Sequence, residues 1–153
     1  MTPDPADAAA MARALALAAE AAAAGEIPVG AVVLDVDGSV IGEGRNRREE
    51  HHDPSAHAEV VALRQAAEHV GSWNLEGRTL VVTLEPCLMC AGAVLQARIG
   101  RLVFGAWDDK AGAAGSMYDV VRDRRLPYRA EVVGGVREEE SQKLLRAFFE
   151  ARR

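Results

Sequence analysis

Residues 78–106 constrain the fold more than any other part of the chain. RTLVVTL (78–84) is a continuous apolar run typical of a strand buried on both faces, PCLMCAGAVLQAR (86–98) has the pattern of a helix, and RLVFGA (101–106) is a second strand. A strand, a helix and a strand in so short a stretch predict a βαβ unit, with parallel strands and a right-handed crossover. Pro86 is expected in the first turn of the helix, where its missing N–H costs nothing.

The remaining segments supply further strands and helices around this unit. The predicted elements are a helix from Asp7 to Ala24, capped by Asp7 and ended by Gly25; strands at 29–36 and 39–44 joined by an Asp37-Gly38 turn; a helix at 56–70 ended by Gly71; a long loop at 107–128 with a helical turn near 118–121; a strand at 129–135; and a helix at 138–153. Residues 1–6 are expected to be a loose end. The sum is one domain over residues 1–153, a three-layer α/β/α fold with a central mixed five-stranded sheet.

Composition and charge narrow the possible functions. The chain has 153 residues, a net charge of −5 and no apolar run long enough to cross a membrane. The alanine-rich N-terminus lacks the pattern of a secretory signal, so we expect a cytoplasmic protein whose thiols stay reduced. The negative charge argues against a broad nonspecific nucleic-acid binder, although clustered arginines could still bind phosphates locally.

The two cysteines of the chain, Cys87 and Cys90, lie three residues apart in the predicted helix. They therefore share one face, and the N-terminus of a helix favours the thiolate form. His57 opens a second helix and can supply a third ligand, which leaves the fourth position of a zinc ion open for water. Glu59 lies two residues beyond His57, where a carboxylate can sit beside that water and transfer its proton. The pattern H-A-E followed by P-C-L-M-C is the signature of zinc deaminases.

Two other interpretations of the cysteine pair remain open from the sequence. A C-x-x-C at a helix start after a strand also fits a thioredoxin-like redox pair. A purely structural zinc site would need a fourth protein ligand, such as His52. The redox pair would make the H-x-E half of the pattern a coincidence.

Several segments together resemble one family. IPVGAVV, GRN, HDPSAHAEVVALR, TLEPCLMCAGA, RIGRLVFGA and KAGAAGS are similar to the bacterial tRNA-specific adenosine deaminases, which have the cytidine-deaminase-like fold. The resemblance covers about residues 10 to 153. The loop DDKAGAAGS (108–116) is its most specific part, because H-x-E and P-C-x-x-C are shared by many deaminases.

The resemblance implies a function and a set of site residues. The reaction would be zinc-dependent hydrolysis of adenosine to inosine at the wobble position of an arginine tRNA anticodon, with release of ammonia, carried out by a homodimer. One zinc ion per chain would be bound by His57, Cys87 and Cys90, with Glu59 as the proton shuttle. The base would be bound by Asn46, Val29, Ala58 and Leu84. The anticodon loop would be contacted by Asp108, Lys110, Ser116, Phe149 and Arg152.

Two features depart from this pattern or leave it open. Glu49 and Glu50 place acidic groups in a loop near the predicted site, where they should not help RNA binding. Phe148 is expected in the core, and Phe149 could be a core residue as well.

The nearest alternative function is a free-base deaminase acting on guanine or cytosine with the same zinc and Glu59. A catalytically silent RNA-binding or zinc module is the other, although it would have no need of Glu59.

Overall fold

The computed structural model describes residues 5–153, which form four helices around a five-stranded sheet. In chain order the elements are α1 (Pro5–Ala23), β1 (Gly30–Leu34), β2 (Val40–Arg45), α2 (Ala58–Val70), β3 (Thr79–Leu84), α3 (Leu88–Gln96), β4 (Arg101–Ala106), β5 (Glu131–Val133) and α4 (Glu138–Glu150). The strand order is β2-β1-β3-β4-β5. β1 runs antiparallel to β2 and β3, whereas β3, β4 and β5 are parallel. The predicted mixed sheet and its βαβ unit are confirmed.

Alternating strand residues divide the apolar core between the two faces of the sheet. Ala31 and Val33 of β1 belong to the cluster that contains α2 and α3, whereas Val32 and Leu34 belong to the cluster that contains α1. Because successive side chains of a strand point to opposite faces, β1, β3, β4 and β5 contribute to both clusters, whereas among the described residues β2 contributes only Ile41, to the first cluster. The chain therefore forms the expected α/β/α layers.

Glycines in the first hairpin let two helices lie very close to the sheet. A Cβ on Gly30 would lie 2.0 Å from the carbonyl oxygen of Ala14 in α1, and a Cβ on Gly44 would lie 2.3 Å from that of Ala58 in α2. No side chain fits at either position. The contact at Gly44 sets how close the N-terminus of α2 lies to the sheet. His57 is the N-cap residue of this helix.

Two predicted helix starts were wrong. Asp7 does not cap α1, which begins at Pro5; its buried carboxylate instead accepts hydrogen bonds of 2.6 and 2.7 Å from Arg101. Residues 5 and 6, which were expected in a loose end, belong to α1, and residues 1–4 lie outside the described residues. Pro86 lies before α3 rather than in its first turn, because Cys87 is the extended N-cap residue, with φ −72° and ψ 176°.

Other predictions near the C-terminus were also wrong in detail. The segment at 118–121 forms no helical turn, since Asp119 pairs in an antiparallel bridge with Ala114. The last strand covers only Glu131–Val133, and the last helix ends at Glu150. By contrast, Gly38 and Gly71 adopt the positive φ angles, 88° and 79°, that the predicted turn and helix end require.

Within residues 5–153, none of the helices combines the length and the apolar character needed to cross a bilayer.

Candidate metal centre and active site

Two helix N-termini bring His57, Cys87 and Cys90 together. His57 caps α2, Cys87 caps α3, and Cys90 lies in the first turn of α3. His57 Nδ1 is 3.6 Å from Cys87 Sγ and 3.5 Å from Cys90 Sγ, and the three ligand atoms all lie within 4.8 Å of one another. Residues separated by some thirty positions in sequence thus meet at one point.

The geometry of this cluster fits a zinc ion. With Zn–S bonds of about 2.3 Å and Zn–N bonds of about 2.0 Å, tetrahedral angles give an S···N separation of roughly 3.5 Å. The separations of 3.5 and 3.6 Å match this value. One imidazole and two thiolates are also a typical zinc donor set. Among the described residues, His52 does not join the group, so a closed four-ligand site has no support.

Hydrogen bonds within the cluster already favour one thiolate. The bond from the Cys90 thiol, together with that from His57, lowers the pKa of Cys87 to about 4, although burial opposes the shift. Donation to Cys87 raises the pKa of Cys90, and burial acts in the same direction. The bond to Cys87 raises the pKa of His57. Both cysteines are free thiols rather than a disulfide.

Glu59 lies beside the cluster as a buried carboxyl group. It is only 4% exposed, in the first turn of α2. Burial raises its pKa to about 7, although its own backbone N–H and His57 favour the charged form. A cation at the three-ligand cluster would favour ionisation further. Glu59 can therefore accept or release a proton near neutral pH.

A cavity of about 250 Å³ opens above this group. That is smaller than the ~300–1,000 Å³ of most small-molecule sites, as expected for a pocket that takes one planar ring. All four residues predicted to bind the base line it, namely Val29, Asn46, Ala58 and Leu84. His57, Glu59 and Cys87 form another part of its wall, and Asp108 is the only predicted RNA-contact residue among those that line it.

The orientation of Asn46 follows from its backbone neighbour. Its side-chain oxygen accepts a hydrogen bond of 3.1 Å from the N–H of Arg48. The carboxamide NH₂ is therefore the group that Asn46 can offer to the cavity. It can donate to an acceptor atom on the edge of a purine.

The acidic loop after β2 is paired internally. Glu50 accepts hydrogen bonds from Arg45 at 2.9 Å and from Arg47 at 2.6 Å. The buried carboxylate of Glu26 accepts the N–H groups of Glu49 and Glu50 at 3.0 and 2.7 Å. The charge of Glu50 is thus offset within the loop itself.

The other predicted RNA contacts lie away from the cavity wall. The hydroxyl of Ser116 donates to Glu85, and Lys110 is exposed. Phe149 is 50% exposed, while Phe148 is buried as expected. The guanidinium of Arg152 lies over the Phe148 ring, 3.4 Å from its centroid.

Sequence reasoning missed two residues that shape the site. Glu26 and Glu85 are 1% and 2% exposed, and each accepts backbone N–H groups from a loop beside the cavity. In sequence each is simply an acidic residue next to an apolar segment. Their burial in the folded chain identifies them as residues that shape the site, and no pattern in the sequence predicts that burial.

Comparison with known proteins agrees with this geometry. Residues 5–106 match the family described as the cytidine and deoxycytidylate deaminase zinc-binding region. The tRNA-specific adenosine deaminase of Haemophilus influenzae is 50% identical over 134 residues, covering 88% of this chain and 78% of that protein. A protein of Deinococcus radiodurans named tRNA(Ile)-lysidine synthase is 53% identical over 92% of this chain, but the match spans only 24% of its length.

Solved structures give the same assignment. A structure from a study of A-to-I editing by tRNA:A34 deaminases at the wobble position of transfer RNA superposes with a TM-score of 0.86 at 42% identity, covering 90% of this chain and 99% of that one. A guanine deaminase from Nitrosomonas europaea gives a TM-score of 0.78 at 28% identity, covering 97% and 86%. The chain belongs to the tRNA-specific adenosine deaminases, within the cytidine and deoxycytidylate deaminase zinc-binding family.

Proposed function

We propose that the protein hydrolyses adenosine to inosine at the wobble position of a tRNA anticodon, that of an arginine tRNA, and releases ammonia. One observation supports the proposal most strongly: two members of the His-Cys-Cys cluster, His57 and Cys87, and the buried carboxyl group of Glu59 line a pocket sized for a single base. The relatives named for tRNA adenosine deamination support the choice of substrate. Such a substrate also places the protein in the cytoplasm.

His57, Cys87 and Cys90 would bind one zinc ion per chain. A zinc ion supplies Lewis-acid activation of a water molecule, whose pKa it lowers to about 7. Glu59 takes up the proton that this water loses and delivers it to N1 of the adenine ring. Once the water oxygen has bonded to C6, Glu59 takes the second proton from the new C6 hydroxyl and passes it to the amine, so that the C6–N bond breaks and ammonia leaves. Burial raises the pKa of Glu59, whereas a cation bound at the cluster would lower it, and these opposing effects favour proton exchange near neutral pH.

The cavity walls would orient the base. Val29 and Leu84 offer apolar surface to the faces of a purine, and the carboxamide of Asn46 donates to its edge. A base can reach such a pocket only when it leaves its stack, which a single-stranded loop permits at low cost. Asp108, Lys110, Ser116, Phe149 and Arg152 remain our candidates for contacts to the neighbouring nucleotides.

A homodimer is part of the proposal. An apolar groove of about 260 Å³ between α2 and α3 is lined by residues that include Val60, Ala67 and Ala93. Trp73 at this groove is 62% exposed, and Leu88 and Met89 in the first turn of α3 are 53% and 41% exposed. Large exposed apolar side chains of this kind are typical of a protein interface. A second chain bound here would lie beside the helix that carries both cysteines.

The direct test is inosine formation in a synthetic anticodon stem-loop of an arginine tRNA with adenosine at the wobble position. We expect inosine and an equal amount of ammonia. The matched control RNAs carry guanosine, cytidine or uridine at that position and should release no ammonia. A stem-loop that stays unmodified in the presence of zinc-loaded protein would refute the proposal.

The same assay decides the alternative of a free-base deaminase. The similarity to the guanine deaminase of Nitrosomonas europaea makes free guanine the better supported of the two alternative substrates. Turnover of free guanine or cytosine, with none of the stem-loop, would establish that alternative. Metal analysis of the purified protein provides a readout that does not depend on the substrate, and we expect one zinc per chain.

A further inference from the structure

The proposed chemistry makes no use of Glu85, although this residue lines the cavity. Glu85 directly follows β3, and its N–H donates to the carbonyl of Ala106 at the end of β4 at 2.8 Å. Its side chain is therefore attached to the rigid end of the sheet. At 2% exposure, it is one of the most buried polar residues of the described chain.

Within the described chain, the hydrogen-bond partners of the Glu85 side chain come from one loop, residues 108–116. One carboxylate oxygen accepts the N–H of Asp108 at 3.0 Å and the hydroxyl of Ser116. The other accepts the N–H groups of Ala114 and Ser116, each at 3.0 Å. A single carboxylate thus accepts four hydrogen bonds from both ends of the loop.

Gly112 lies directly against the carboxyl group of Glu85. A Cβ at Gly112 would lie 2.3 Å from the carboxyl carbon of Glu85, so only glycine lets the loop come this close. Gly112 also pairs with Cys87, and the N–H of Ala113 donates to the carbonyl of Pro86 at 2.8 Å. The loop is therefore fixed to the segment that carries a proposed zinc ligand.

We infer that Glu85 is a positioning residue for RNA. It fixes loop 108–116 at the mouth of the cavity, where the nucleotides beside the flipped base must pass. Asp108 and Ala111 of this loop line the cavity, and Lys110 lies between them. The inference rests on the proposed function, because it concerns how that substrate is held. It predicts that loosening the loop impairs substrate binding more than the chemical step.

Two variants perturb the same contact from opposite sides. Glu85→Gln keeps the shape of the side chain but replaces one acceptor oxygen by an NH₂ group, which faces donors and cannot accept from them. Gly112→Ala leaves Glu85 intact and displaces the loop. Gly100→Ala is the matched control, because its Cβ would meet nothing closer than 3.6 Å.

Three measurements are made on each zinc-loaded variant: amide hydrogen exchange, zinc content, and kcat and KM on the anticodon stem-loop. In Glu85→Gln and Gly112→Ala we expect at least tenfold faster exchange at the amides of Asp108, Ala114 and Ser116. We also expect at least a fivefold higher KM and a smaller change in kcat in both variants, and an unchanged zinc content in Glu85→Gln. Gly100→Ala should behave as the wild type.

Each contrary result has a distinct meaning. Faster exchange with an unchanged KM would overturn the inference, since Glu85 would then serve the fold alone. Unchanged exchange at the three amides would overturn it as well. Failure of the wild-type protein to modify the stem-loop would instead refute the proposed function, and the role of Glu85 in that reaction would fall with it.

Discussion

Replacing Gly44 by alanine should damage the metal site without touching any of its residues. A Cβ at this position would lie 2.3 Å from the carbonyl oxygen of Ala58 and 2.6 Å from the N–H nitrogen of Ala62. Both are backbone atoms of α2, so no side-chain rotation can relieve the clash. The helix must move by about 1 Å to reach the 3.4 Å at which such a contact becomes ordinary.

That displacement has two measurable consequences. Overpacking of this kind costs about 1–3 kcal/mol, and at about 2–4 °C per kcal/mol the melting temperature should fall by roughly 2–12 °C. His57 caps the end of α2 that moves, next to Ala58. Because metal–ligand distances must hold within about 0.2 Å, we expect at least a tenfold loss of zinc affinity in a chelator competition.

Gly42→Ala is the matched control for this experiment. Its Cβ would lie 2.4 Å from the carbonyl oxygen of Ala62 and 2.9 Å from the nitrogen of Ala66, one turn further from His57. It should lower the melting temperature by a similar amount and the zinc affinity by much less. Wild-type zinc affinity in Gly44→Ala, or equal losses of affinity in both variants, would refute the reasoning.

Three further predictions address catalysis, stability and assembly. Glu59→Gln should bind zinc as the wild type does and lose about 10²–10⁴-fold in turnover; substantial remaining turnover on the stem-loop would contradict the proton-transfer role. Asp7→Ala should lower the free energy of unfolding by about 2–3 kcal/mol, which thermal melting measures. This is less than the loss of a fully buried ion pair, because the side chain of Arg101 remains 21% exposed. A reduced kcat at 25 °C would show that Asp7 does more than stabilise the fold. In sedimentation analysis the wild-type protein should form the proposed dimer and Trp73→Glu should be a monomer, whereas a wild-type protein that sediments as a monomer would exclude the proposed interface.

The sequence predicted those parts of the fold that depend on local pattern. The apolar runs at 78–84 and 101–106 and the helix between them are each recognisable within a few residues, and together they require parallel neighbours. The same unit places Cys87 and Cys90 at a helix start after a strand. The approach of His57 to within 3.6 Å of both sulfurs could only be inferred from the ligand requirement of zinc, because it depends on how α2 packs.

Contacts between distant residues were beyond such reasoning. Asp7 looked like a helix cap because aspartate is a common cap residue, yet its partner Arg101 lies 94 residues away. Glu85 binds N–H groups 23 to 31 residues further along the chain. A carboxylate that accepts backbone donors in the interior has the same sequence signature as one in solvent. Its burial is a property of the packed fold.

The proposed function depends above all on one zinc ion held by His57, Cys87 and Cys90, with a position left for water. Zinc K-edge X-ray absorption of the purified protein tests it most directly, together with metal analysis. We expect one zinc per chain, with two sulfur ligands at about 2.3 Å and two nitrogen or oxygen ligands at about 2.0 Å. Protein without zinc that nevertheless deaminates the stem-loop, or zinc with four sulfur ligands, would contradict it.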